Sequence, residues 1–98
     1  MKNKTLPLDG IRILSIEQFG AAPYGSMFLA DLGAEVIKIE NLTAGGDPSR
    51  RTGPHLLGDT DSYYHQTWGS NKGSVALDLK QKAGREAFDR LVTTADAV

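Results

Sequence analysis

The residues best equipped for chemistry here are those that bind anions. Gly20-Ala21-Ala22-Pro23 follows a short β-branched run and opens a helical pattern. Unpaired N–H groups and the positive end of the helix dipole therefore favour an anion at that turn. The order Gly20-Ala21-Ala22-Pro23-Tyr24-Gly25 is not the G-x-G-x-x-G of a dinucleotide site. Glu40, twenty residues past Gly20, does stand where a ribose-binding acid would. Small residues at such a turn equally serve to let helix and strand approach. His55 and His65 are general acid or base candidates by residue type, yet neither has a partner at a recognisable spacing, so loop surface or local hydrogen bonding is the better reading for both. With no cysteine there is no thiolate zinc site, no cysteine nucleophile and no disulfide, and two histidines make a poor metal site. No metal is expected.

Two further stretches carry cations. Gly45-Gly46-Asp47-Pro48-Ser49-Arg50-Arg51 sets adjacent guanidiniums on flexible backbone, either a grip on phosphate or carboxylate or a solvated loop around an Asp47 turn; taken alone, the loop is the better reading. Ser70-Asn71-Lys72-Gly73-Ser74 lacks the Gly-Lys-Ser/Thr order that opens a helix in a phosphate loop, and a strand follows it. Lys80 lies at the end of the next strand, as a ligand-facing cation or an ordinary helix-start lysine.

The elements that must hold these residues are legible. Ile11–Ile16 is a β-branched strand, and Pro23 belongs to the first turn of a helix with Tyr24, Met27, Phe28 and Leu32 at helical spacing and Gly33 as its stop. Glu35–Glu40 alternates polar and apolar as a second strand. Strand, helix and strand within thirty residues make a right-handed βαβ unit with parallel strands, hence an α/β fold. Residues 42–73 read as an unusually long Gly/Pro-rich loop. Within it Asp61 or Ser62 caps a short helix whose aromatics are predicted to plug the sheet edge. Ser74–Leu79 is a third strand, and residues 81–94 form an amphipathic helix with Ala87, Phe88, Leu91, Val92 and Ala95 on one face. Asp96-Ala97-Val98 reads as entry to a fourth strand. Gly20, Asn41 and Lys80 then share the carboxyl edge of the sheet, where open parallel sheets bind ligands, and form a cradle suited to a phosphorylated nucleotide.

The chain has 98 residues, 40% hydrophobic and 23% charged, with a formal net charge of -1. That is one domain at most, with about 60–65% of its surface buried on folding. The balance excludes disorder and an overall basic field for nucleic acid. The leader Met1–Gly10 is basic but has no apolar run behind it, so no membrane segment is expected and the chain is read as cytoplasmic.

In order along the chain, Leu8-Asp9-Gly10-Ile11-Arg12-Ile13-Leu14, Ala22-Pro23-Tyr24, Leu29 to Glu40, Gly46-Asp47-Pro48-Ser49-Arg50 and Asn71 to Lys80 resemble the N-terminal part of the family III CoA-transferases, the group that includes formyl-CoA transferase, carnitine CoA-transferase and the 2-methylacyl-CoA racemases. The resemblance implies an open Rossmann-like parallel sheet, βαβ plus βα, in a larger enzyme of two interlocked subunits. Residues 1–98 would be the first part of its large domain. It also implies an Asp nucleophile that attacks an acyl-CoA thioester and carries CoA to a second carboxylic acid. That Asp is expected past Val98, since Asp31, Asp47 and Asp78 do not match it, and no catalytic residue is assigned.

By the same resemblance, CoA contacts fall on Gly20 and Ala21, on Asn41, and on Leu77, Asp78, Leu79 and Lys80. Many members carry Arg where Asn41 stands, so Arg50 or Arg51 is a candidate replacement cation; Ala22 replaces the usual Gly before the helix proline. The nucleotide end of CoA suits these residues better than the thioester end. The alternatives are a 2-methylacyl-CoA racemase or epimerase of the same fold and a nucleotide-binding module without turnover.

Overall fold

The computed structural model describes residues 5–98; the first four residues of the basic leader lie outside the described residues. Strand β1 (Arg12–Ile16) leads into helix α1 (Ala21–Asp31), then β2 (Glu35–Asn41), a short helix α2 (Tyr63–Trp68), β3 (Lys72–Leu77) and helix α3 (Lys82–Val92). The strands lie in the order β1-β2-β3, all parallel. On the free side of β1, Ala97 forms a parallel bridge to Ile13, with Leu14 N–H donating to the Ala97 carbonyl at 3.0 Å. The final residues thus start to pair where a fourth strand would lie, giving the open Rossmann-like arrangement.

α1 differs from its sequence reading in which face it buries. Of the spaced apolar set, Tyr24, Phe28 and Leu32 remain 48%, 49% and 44% exposed and Met27 is half-buried, while Pro23, Ser26 and Ala30 are the buried residues of the helix. Small residues win that face because they let the helix axis come close, and Ala30 and Ala34 pack on Val36, with Ile13 and Leu8 alongside. Gly33 closes the helix at φ +106°, and a Cβ there would lie 2.6 Å from Asp9 Oδ1.

β3 begins two residues before its predicted start, because Lys72 pairs with Val36, and ends at Leu77. Lys80 therefore lies in the turn after the strand and not on it. The alternation of β2 does mark two faces, but both are covered: Lys38 is 4% and Glu40 3% exposed.

The long loop is built from capped turns. Asn41 caps a 3-10 turn over Leu42–Ala44, Asp47 caps another over Pro48–Arg51, and Ser62 caps α2, its hydroxyl accepting from His65 N–H at 3.0 Å. The solvated Asp47 loop favoured by local sequence is overturned, for Asp47 is 2% exposed. The expected aromatic plug of the sheet edge is instead a bridge to the start of α1, with Tyr64 edge-on to Phe19 and Trp68 edge-on to Tyr24 at centroid distances of 6.3 and 5.2 Å.

Candidate functional site

A cavity of about 240 Å³ opens at the carboxyl ends of the three strands. Ile16, Ile39 and Leu77 supply apolar walls from one strand each, and Asn41, Asp78 and Lys80 stand among its polar groups. Lys80 is the one cation lining it among the described residues. Asn41 Oδ1 is occupied by Thr43 N–H at 3.1 Å and Thr43 Oγ1 at 2.8 Å, so its amide NH2 is what remains for a ligand. Asp78 holds its own turn, Oδ1 accepting from Lys80 N–H at 3.0 Å and its carbonyl accepting from Gln81 N–H at 3.1 Å. α3 packs directly on that turn: a Cβ added at Gly84 would lie 2.0 Å from the Asp78 carbonyl oxygen.

Five of the seven candidate residues, Asn41, Leu77, Asp78, Leu79 and Lys80, thus surround one cavity. Gly20 and Ala21 do not line it. Gly20 lies under Tyr64, whose hydroxyl would be 3.0 Å from a Cβ at that position.

Glu40 is not free to take a ribose. Arg50 grips it with Nε at 2.9 Å and Nη2 at 2.6 Å, Ser74 Oγ donates to it, and so does Asp47 N–H at 2.6 Å. The Arg50 guanidinium, ahead of the opposing effect of burial, holds the Glu40 carboxyl far below the usual carboxylate range. Neither arginine lines the cavity: Arg50 is held by Glu40, and Arg51 donates to the carbonyls of Gly45 and Ala44 at 3.0 and 2.9 Å. Lys72, rejected as a phosphate-loop lysine, turns inward to Glu17 at 3.0 Å and to the Pro23 carbonyl at 2.8 Å.

Beneath the site lies a buried ion pair that the sequence did not reveal, Lys38 with Asp47. Burial pushes the Asp47 carboxyl up, but bonds from Lys38 and from the N–H groups of Ser49 and Phe19 outweigh it and hold the group below its ordinary value. The local signal was available in part, since Asp before Pro-Ser is a capping pattern. His65 Nε2 lies 3.4 Å from Lys38 Nζ. An ammonium only donates, so Nε2 accepts and Nδ1 carries the hydrogen, facing Asp61 Oδ1 at 3.6 Å. Burial, and then the charges of Lys38 and Arg50, push the imidazole below its ordinary value and keep it neutral.

These shifts have one sign in their effect on stability. The folded state binds fewer protons than the unfolded chain at His65, Glu40 and Asp47, so each contribution is present at neutral pH and lost as pH falls. Loss should begin as pH drops through about 6.5 with His65 and steepen below about 4 with the carboxylates. Melting temperatures from pH 8 to pH 3 check this. A flat profile between pH 7 and pH 5 that His65→Gln leaves unchanged would remove His65 from the account.

Among the described residues no three His, Cys, Asp or Glu side chains are placed to hold a metal, and no helix is long and apolar enough to cross a membrane.

A cavity at the carboxyl edge of a parallel α/β sheet stands where open sheets of this class bind their ligands. Residues 8–98 match the model of CoA-transferase family III, and the chain belongs to that family. It is 41% identical to the succinate–glutarate CoA-transferase of Agrobacterium fabrum, covering 100% of this chain and 26% of that protein. With the human succinyl-CoA:glutarate CoA-transferase it shares 39% identity, over 96% of this chain and 21% of that one. A solved CAIB/BAIF family protein from Brucella suis superposes with a TM-score of 0.83 at 34% identity, over 95% of this chain and 25% of that one. The chain thus spans about a quarter of the length of these relatives.

Proposed function

We propose that this chain is part of a CoA-transferase that moves CoA from an acyl-CoA to a carboxylic acid, and that its cavity receives the nucleotide portion of CoA. The observation that carries the reading is the convergence of Asn41 and Leu77 to Lys80 on one cavity with apolar walls and, among the described residues, a single cation. Apolar walls suit an adenine face, and Lys80 suits a phosphate. Family membership and the transferase names of the relatives above support the reaction class. On this reading a carboxylate from the rest of the protein attacks the thioester to give a mixed anhydride and free CoA thiolate. The thiolate then attacks the enzyme carbonyl, releasing the first acid and leaving an aspartyl-CoA thioester, and a second acid receives CoA by the same steps in reverse. Succinate and glutarate, which the relatives' names carry, are the first acids to assay. The proposal extends to a cytoplasmic homodimer, which light scattering of the purified protein tests for oligomeric state.

Lys80→Ala in the full-length protein is the direct test. Loss of a charge-assisted phosphate contact at a rim open to water should raise the acyl-CoA KM about tenfold. The value of kcat should change much less, because the nucleotide is remote from the reacting carbonyl. An unchanged KM would remove Lys80, and with it the nucleotide reading of the cavity.

A further inference from the structure

Two segments assigned to CoA by resemblance, the turn at Gly20-Ala21 and the rim at Asn41, do not share a cavity, yet one side chain ties them together. Phe19, immediately before Gly20, has φ +59°, a left-handed conformation that a bulky residue rarely adopts. Its N–H donates to both carboxylate oxygens of Asp47, at 3.1 and 3.2 Å. The same carboxylate accepts from Ser49 N–H at 2.9 Å and from Lys38 of β2. Asp47's own N–H donates to Glu40, a wall of the cavity next to Asn41. The chain of contacts therefore runs from the cavity through Glu40 and Asp47 to Phe19 and the start of α1. Each link is buried or half-buried.

We infer that Asp47 is a positioning residue for CoA binding, holding the turn after β1 in its left-handed conformation so that the N-terminus of α1 keeps a fixed place relative to the Asn41 rim. Asp47 touches no reacting atom on this assignment. Its carboxylate satisfies a peptide N–H that the strained turn would otherwise leave inside, and the buried Lys38 keeps that carboxylate charged. The inference rests on the CoA reading of the rim.

The test uses the full-length protein and compares KM for acyl-CoA with kcat. The pair Lys38→Met with Asp47→Leu removes the acceptor for Phe19 N–H without leaving a buried charge alone. Its expected result is an acyl-CoA KM raised about tenfold, with kcat and the KM for the acceptor acid changed less than about threefold. Adding Phe19→Gly, which adopts positive φ without strain, should recover most of that loss. Should the paired variant not fold, Phe19→Val and Phe19→Gly answer the same question with Asp47 intact. Both lose the ring contact to Tyr64, but only Val resists the left-handed turn, so Val should raise KM well above Gly. An unchanged KM in the folded paired variant, a rise that Phe19→Gly does not reverse, or equal KM values for Val and Gly each overturn the inference. Lys80→Ala separates the two levels: if it raises KM while these variants do not, only the positioning role falls; if it too is silent, the CoA reading falls.

Discussion

Lys38→Met is expected to destabilise the protein by about 3–5 kcal/mol, the range for removing one partner of a buried ion pair. The Asp47 side chain is fully buried and that of Lys38 is 5% exposed, so the carboxylate left behind has no access to water and loses the ammonium bonded to it. It keeps the N–H groups of Ser49 and Phe19, which soften the loss without neutralising the charge. The double replacement with Asp47→Leu should recover much of the stability, because an apolar pair of similar volume has no desolvation penalty to offset. Denaturant titration of the two single variants and the double closes a thermodynamic cycle. Strictly additive losses would mean that the two groups do not depend on each other and would sink the account.

Gly84→Ala tests a different kind of constraint and should show a reversed sign. In an exposed helix, Ala is favoured over Gly by about 1 kcal/mol. At Gly84 the added methyl would lie 2.0 Å from the Asp78 carbonyl oxygen and 2.7 Å from its carbon, so backbone has to move. The expected result is a net loss of about 1–3 kcal/mol, as for overpacking elsewhere. Weaker acyl-CoA binding should accompany it, since the displaced turn carries Asp78, Leu79 and Lys80. Gly25 is the internal control: it lies inside α1, nothing stands within 4 Å of a Cβ there, and Gly25→Ala should stabilise by about 0.5–1 kcal/mol. Thermal denaturation of both variants decides it. A Gly84→Ala protein as stable as the parent would mean that α3 does not depend on that close approach.

Much of this architecture could be read from short-range pattern alone. The β-branched runs, the Gly33 stop, the Ser62 cap and the spacing of Phe88, Leu91 and Val92 each reflect rules acting within a few residues, and they lead to β1, α1, β2, α2 and α3 within a residue or two. The order of elements then leaves parallel pairing as the natural solution, and parallel pairing puts Asn41 and Lys80 at one edge. Family identity was legible for the same reason, being carried by local motifs in order.

Only the tertiary structure decided where the charges go. Lys38, Glu40, Asp47 and Arg50 look alike in sequence whether solvated or buried, because a charged residue does not announce its partner. Glu40 meets Arg50 ten residues away and Ser74 thirty-four away, and Phe19 meets Asp47 across twenty-eight. Arg50, which the sequence left between a solvated loop and a grip on an anion, is a structural strut. Tyr24, Phe28 and Leu32 have the hydrophobicity to be core, yet close packing selected the smaller Pro23, Ser26 and Ala30 for the sheet. Gly84 gave no local signal, since what it spares is a carbonyl six residues earlier that only the turn into α3 brings near. Local propensity sets the elements, whereas burial and close approach depend on which surfaces meet once those elements pack.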